Sequence, residues 1–168
     1  KLQLKPFRAF EKVNVPEIAN LENHKTIPIA AEILFEFISN FKYRHHWVTG
    51  ADKFEYDANE INRLGTEHIC VIKEKHLDFV TVVKEVKKGQ LIYGESSKSS
   101  PFADTFYQFY TITPTSINSC NLKIETYWQV KSPLKKLFIF LFIKKALQKR
   151  ILDSLSHLNV TEISTHVS

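Results

Sequence analysis

From Pro133 to Leu158 the chain holds no interior Gly or Pro. It opens with Ser132 in position to cap and Pro133 at the first helical position, so it reads as one long helix. The stretch before it, Phe54 to Val130, reads instead as strands. A strand-rich body closed by one long, apolar helix predicts an α+β domain in which a curved antiparallel sheet grips that helix. Such an arrangement leaves room for a cavity between the two. It points to binding rather than to chemistry.

The strands are paced by turn signals. Lys53 to Asp57 is followed by a turn at Asn59 to Gly65, then Thr66 to Lys75 and Leu77 to Lys87, with a turn at Lys88-Gly89. Gln90 to Ser96 leads into a polar loop ending at Pro101, and Asp104 to Thr113 and Leu122 to Val130 complete the set. Spacing of this kind is the mark of a meandering antiparallel sheet. Leu122, Ile124, Thr126, Trp128 and Val130 alternate with Lys123, Glu125, Tyr127 and Gln129, which predicts one buried side and one wet side. Along Asp104 to Thr113, alternation puts Phe106, Gln108, Tyr110 and Ile112 on one face and Tyr107 and Phe109 on the other. It does not decide which face points inward; Phe106 and Tyr110 are chosen. Upstream, His24 to Ile29 is a short strand. Ala30 to Asn40 is a helix with Ile33, Leu34, Phe37 and Ile38 on one face, and Tyr43 to Val48 is a second, shorter one.

Composition narrows the function. Hydrophobic content of 43%, with 13 Phe, gives a chain of 168 residues ample material for a filled or ligand-holding core. The net charge of +5 is mildly basic. Neither a nucleic-acid module nor the zinc-finger spacing accompanies it, so no nucleic-acid partner is expected. Cys70 and Cys120 stand alone, which argues against a disulfide scaffold and a Cys-based zinc site, and with no apolar signal segment in Lys1 to Phe10 a reduced, cytoplasmic compartment is expected. His45 and His46 are adjacent and diverge on a helix or strand, and His24, His68 and His76 lack ligand spacing, so no metal or cofactor is expected. The longest apolar run, Leu137 to Ile143, is too short to span a membrane.

The order of these elements, with Ile27-Pro-Ile-Ala-Ala-Glu32, Ile33-Leu-Phe-Glu-Phe-Ile-Ser39, Arg44-His-His-Trp47 and the closing Arg150-Ile-Leu-Asp-Ser-Leu-Ser-His-Leu-Asn-Val-Thr-Glu162, resembles the START-like superfamily. That superfamily includes the Bet v 1-like and polyketide cyclase/dehydrase proteins. The resemblance implies the helix-grip fold, about seven antiparallel strands curled round a C-terminal helix with an apolar cavity between. It divides the chain into an N-terminal arm or linker (1–22), a START-like ligand-binding domain (23–164) and a short tail (165–168). It also implies a hydrophobic or amphipathic small-molecule ligand such as a lipid. The alternatives are a cyclase- or hydratase-like enzyme and a regulatory interaction domain. No residue here matches a catalytic motif of that superfamily.

On the last helix Phe140, Ile143, Leu147, Ile151, Leu155 and Leu158 recur at three- and four-residue steps and form one stripe. With the strand faces they define the expected site: Trp47, Phe106, Tyr110, Thr126, Trp128, Phe140, Ile143 and Leu147 around one cavity of about 300–1,000 Å³. Phe138, Leu141 and Phe142 fall off the stripe beside Lys135, Lys145 and Lys149. Their cover is expected from the Leu2–Ile18 arm with Leu2, Leu4, Phe7, Phe10 and Val13, or from a second subunit. A membrane surface facing the lysines comes after these.

Overall fold

The computed structural model describes residues 12–59, 62, 65–97 and 99–167. Of the expected arm, Leu2, Leu4, Phe7 and Phe10 lie outside the described residues. Val13 is half-buried and its N–H donates to the Val83 carbonyl at 2.9 Å, while Ile18 is exposed.

Strand β1 (Leu21–Ile27) leads into α1 (Ala31–Ser39), a single 3₁₀ turn (Phe41–Tyr43) and the short α2 (Arg44–Trp47). Six strands follow: β2 (Lys53–Glu55), β3 (Glu67–Ile72), β4 (Lys75–Val82), β5 (Leu91–Ser97), β6 (Thr105–Ser116) and β7 (Ser119–Gln129). All pair antiparallel in one sheet of order β1-β7-β6-β5-β4-β3-β2, so the first strand closes against the last. The C-terminal helix then runs as α3 (Pro133–Phe138), a π-helical stretch (Ile139–Ile143) and α4 (Lys144–His157), and α5 (Val160–His166) ends the described chain. This is the helix-grip fold.

Local chemistry explains the boundaries. The Ser132 hydroxyl accepts from the Lys135 N–H, and Pro133 fills the first position, whose amide needs no partner. Lys73 and Glu74 both have positive φ, the geometry of a tight two-residue hairpin turn, so β3 and β4 meet two residues sooner than the turn at His76 implied by the sequence. β6 and β7 likewise extend past Pro114 to a turn at residues 117–118. Asn159 breaks the last helix and caps α5, its side-chain oxygen accepting from the Glu162 N–H at 2.9 Å.

The core lies between the concave sheet and the helices. α1 buries Ala31, Leu34, Phe37 and Ile38, and α4 and α5 add Ile151, Leu155 and Ile163. Ile33, expected on the buried face of α1, is exposed, because it stands a full helical step from Leu34. The convex face of β7 is not wet as alternation predicted: Glu125 and Tyr127 are buried. Lys84, beyond the end of β4, reaches across to pair with the Glu125 carboxylate and lies over the Phe109 and Tyr127 rings at 5.2 and 5.3 Å. Gly94 makes room for this, since a Cβ there would stand 2.4 Å from the Phe109 ring and 2.8 Å from the Val82 carbonyl oxygen.

Candidate functional site

A cavity of about 150 Å³ lies between the sheet and the last helix. Trp47 from α2, Phe106 and Tyr110 from β6 and Leu147 from α4 all line it. The inward face of β6 is therefore the one carrying Phe106, Gln108 and Tyr110, and the Trp47 ring packs edge-on against Tyr110 at 5.4 Å.

The other four expected residues lie elsewhere. Thr126 is fully buried outside the cavity wall. Trp128 is half-buried beside Val130 and Ile139 in a separate surface groove, with Phe140 at its edge. Ile143 is half-buried off the cavity wall, and Phe140 is 68% exposed while Ile139 is 3% exposed. The π-helical stretch accounts for that exchange. A wider turn advances each residue through a smaller angle, so the stripe that continues α4 backwards meets Ile139 in place of Phe140.

Part of the cavity wall is polar in a way the sequence did not disclose. Arg44 and Glu95 both line it, at 2% and 3% exposure. Arg44 Nη2 donates to Glu95 Oε2 at 2.5 Å and Nη1 to the Tyr93 hydroxyl at 2.8 Å, and that hydroxyl donates in turn to Glu95 Oε2 at 3.0 Å. The guanidinium also lies 5.5 Å from the Trp47 ring centre, 5.7 Å from that of Phe54 and 5.6 Å from that of Tyr93. Burial opposes its charge most strongly, but Glu95 together with Tyr93, Tyr110 and Cys70 outweighs it and holds the arginine pKa above its ordinary value.

His68 sits behind the pair, its Nε2 3.6 Å from Glu95 Oε2 and its ring between Phe41 and Phe79. Burial, and then the nearby Arg44 charge, push its pKa down to about 2, so it is neutral. Burial pushes the Cys70 thiol up to about 12 and raises the Tyr93 and Tyr110 hydroxyls well above their ordinary range. Arg44 Nε, Trp47 Nε1 and Ser97 Oγ, on residues that line the cavity, are buried and make no hydrogen bond within the described chain. The cavity wall is therefore largely apolar, with Arg44, Glu95, Gln108 and Tyr110 among its polar members.

Away from the cavity, α5 meets α2. His46 Nδ1 and His166 Nε2 stand 3.4 and 3.2 Å from Glu162 Oε1, and the two imidazoles stack at 3.7 Å. Among the described residues these three are the groups close enough to share an ion. Hydrogen bonding and stacking already account for the arrangement. The adjacency of His45 and His46 concealed it, because the partners come from the far end of the chain.

Arg44 and Glu95 were legible only singly. Arg44 stands in an aromatic run from Phe41 to Trp47, and Glu95 shares a strand face with Tyr93. Each reads as a charge misplaced in an apolar context, and only the fold brings the two together.

No family model matches the sequence, and no curated protein matches it either. Solved structures do. A point mutant of Thalictrum flavum norcoclaurine synthase in complex with a transition-state analogue aligns with a TM-score of 0.64 at 15% identity, covering 92% of this chain and all 100% of that one. The same enzyme in complex with dopamine and hydroxybenzaldehyde aligns at 0.62 and 15%, covering 94% and 99%. A protein of Thermus thermophilus aligns at 0.63 and 13%, covering 88% and 99%. Identities this low establish a shared Bet v 1-like fold and nothing finer.

Proposed function

We propose that this chain binds one small, largely apolar molecule bearing a hydrogen-bond acceptor, held in the cavity between β6 and α4. The observation that carries the reading is a largely apolar wall that includes a few polar side chains, Arg44, Gln108 and Tyr110 among them.

Volume sets the ligand class. About 150 Å³ is below the roughly 300–1,000 Å³ of most ligand pockets, yet a cavity of this order holds a molecule such as benzene. A single ring or a short chain fits, and the long acyl chain of a lipid does not as the walls stand. The T. flavum synthase, described with dopamine and hydroxybenzaldehyde, supports a ring-sized ligand in this fold.

An enzymatic reading has weaker support. The Cys70, Tyr93 and Tyr110 protons are held by burial at neutral pH, and the Glu95 carboxylate is taken by Arg44 and Tyr93. Acid–base work favours a group poised near the operating pH.

Calorimetric titration with phenol, benzoate and hexanoate tests the reading, beside mass spectrometry of natively purified, then denatured protein. At least one ring-sized probe should bind, and Leu147→Trp, which fills the cavity from its helix side, should weaken it at least tenfold. If no probe binds at millimolar concentration and denaturation releases no small molecule, the proposal fails.

A further inference from the structure

The first half of the C-terminal helix exposes far more apolar surface than a soluble face requires. Leu134, Leu137, Phe138, Phe140, Leu141 and Phe142 are between 49% and 81% exposed. Six large apolar side chains on about two and a half helical turns form a contiguous patch of the kind that marks an interaction site. The π-helical stretch contributes to it, because the wider turn that buries Ile139 leaves Phe140 outside.

The charge along this stretch of chain has one sign. Between Glu125 and Asp153 the sequence holds no acidic residue, yet it carries Lys131, Lys135, Lys136, Lys144, Lys145, Lys149 and Arg150. Four of these lysines (135, 136, 144 and 145) directly flank the exposed aromatics. A groove between Leu21 and the helix continues the face, lined by Phe140, Leu141, Lys144, Lys145 and Leu152, with Asp153 its one acidic residue among the described residues.

We propose that this face docks on an anionic phospholipid surface, the Phe and Leu side chains entering the headgroup–acyl boundary and the lysines meeting the phosphates. Apolar residues with a basic surround, on a segment too short to span, are the physical signature of an interfacial helix. Among the described residues no helix is long and apolar enough to cross a membrane. A second copy is the poorer occupant, since a two-fold contact through this face would set lysine against lysine with Asp153 the sole carboxylate among the described residues lining the groove to offset them. The docking does not rest on the cavity's being a ligand site.

Co-sedimentation of the full chain with phosphatidylcholine vesicles, with and without about one-third phosphatidylglycerol, tests this. The chain should pellet with the anionic vesicles at low salt, with at least tenfold less partitioning to neutral ones. Lys144→Glu with Lys145→Glu should lower anionic binding tenfold or more, a basic residue near such a surface being worth roughly fivefold. Phe140→Ser with Phe142→Ser should lower it comparably. Both pairs are exposed, so circular dichroism should be unchanged, and Leu134→Ser gives a third, milder probe of the face. The proposal is overturned if the unaltered chain stays in the supernatant with anionic vesicles, as it would were the face covered by the chain's own N-terminal segment. It is overturned equally if neither pair of substitutions reduces binding, or if ultracentrifugation finds a dimer that these substitutions dissociate and that ignores vesicles.

Discussion

Arg44 brings a permanent charge into the interior and is tolerable there only because Glu95 and Tyr93 meet it. Removing one partner of a buried ion pair leaves the other uncompensated, so Arg44→Met should cost roughly 3–5 kcal/mol in urea unfolding. Arg44→Met combined with Glu95→Met should recover most of that loss. If the single and double variants are equally unstable, the charge pair is not the source of the cost. His68 behind the pair makes stability depend on pH. Its folded pKa is near 2 against an ordinary 6.5, so the unfolded chain takes up a proton that the native chain refuses. The contribution is fully present above pH 6.5 and declines as pH falls below it. About 1.5 kcal/mol should disappear between pH 6.5 and 5. His68→Leu should remove that part of the slope, which urea midpoints at a series of pH values would reveal.

At the scale of elements, the π-helical stretch decides which residues of the last helix serve the core. Ile139 is packed and Phe140 is not, although a regular helix would reverse them. Ile139→Ala should therefore cost about 2–4 kcal/mol, while Phe140→Ala should stay within roughly 0.5 kcal/mol, both read from denaturant midpoints. Equal costs would mean that the helix is regular in solution. In the sheet, Gly94 lets the Phe109 ring close over β5, and the flanking row Val82–Gly94–Phe109–Glu125 crosses four strands. Gly94→Ala forces that row apart and should destabilise by about 1–3 kcal/mol, the usual cost of overpacking.

On the scale of the whole molecule, the sheet is unevenly supported. β6 and β7 are long and paired on both sides, whereas β2 spans three residues and pairs with β3 alone. Amide exchange should be slowest in β6 and β7 and approach fraying rates in β2. Comparable protection of β2 would show that another part of the chain covers that edge. The last helix joins the two faces of this molecule, lining the cavity through Leu147 and Ile151 and presenting its basic, aromatic half to the exterior.

Periodicity and turn residues alone determined the capped start at Ser132, the strand-rich middle and a sheet closed by one long helix, because those depend on local backbone chemistry that the residues carry with them. The helix-grip arrangement came from the family resemblance. Of the inward set, Phe106 and Tyr110 followed from alternation once a face of β6 was chosen, Leu147 from the stripe of the last helix and Trp47 from its place after the first helix. Arg44 with Glu95, and His46 with Glu162 and His166, were not readable, since each pairing joins distant segments and charge gives no clue to its partner along a chain. Phe140 and Trp128 fell outside the cavity wall for a related reason. Their phase and reach depend on a π-helical turn and on how far the sheet curls, and only the packing of the whole chain sets those.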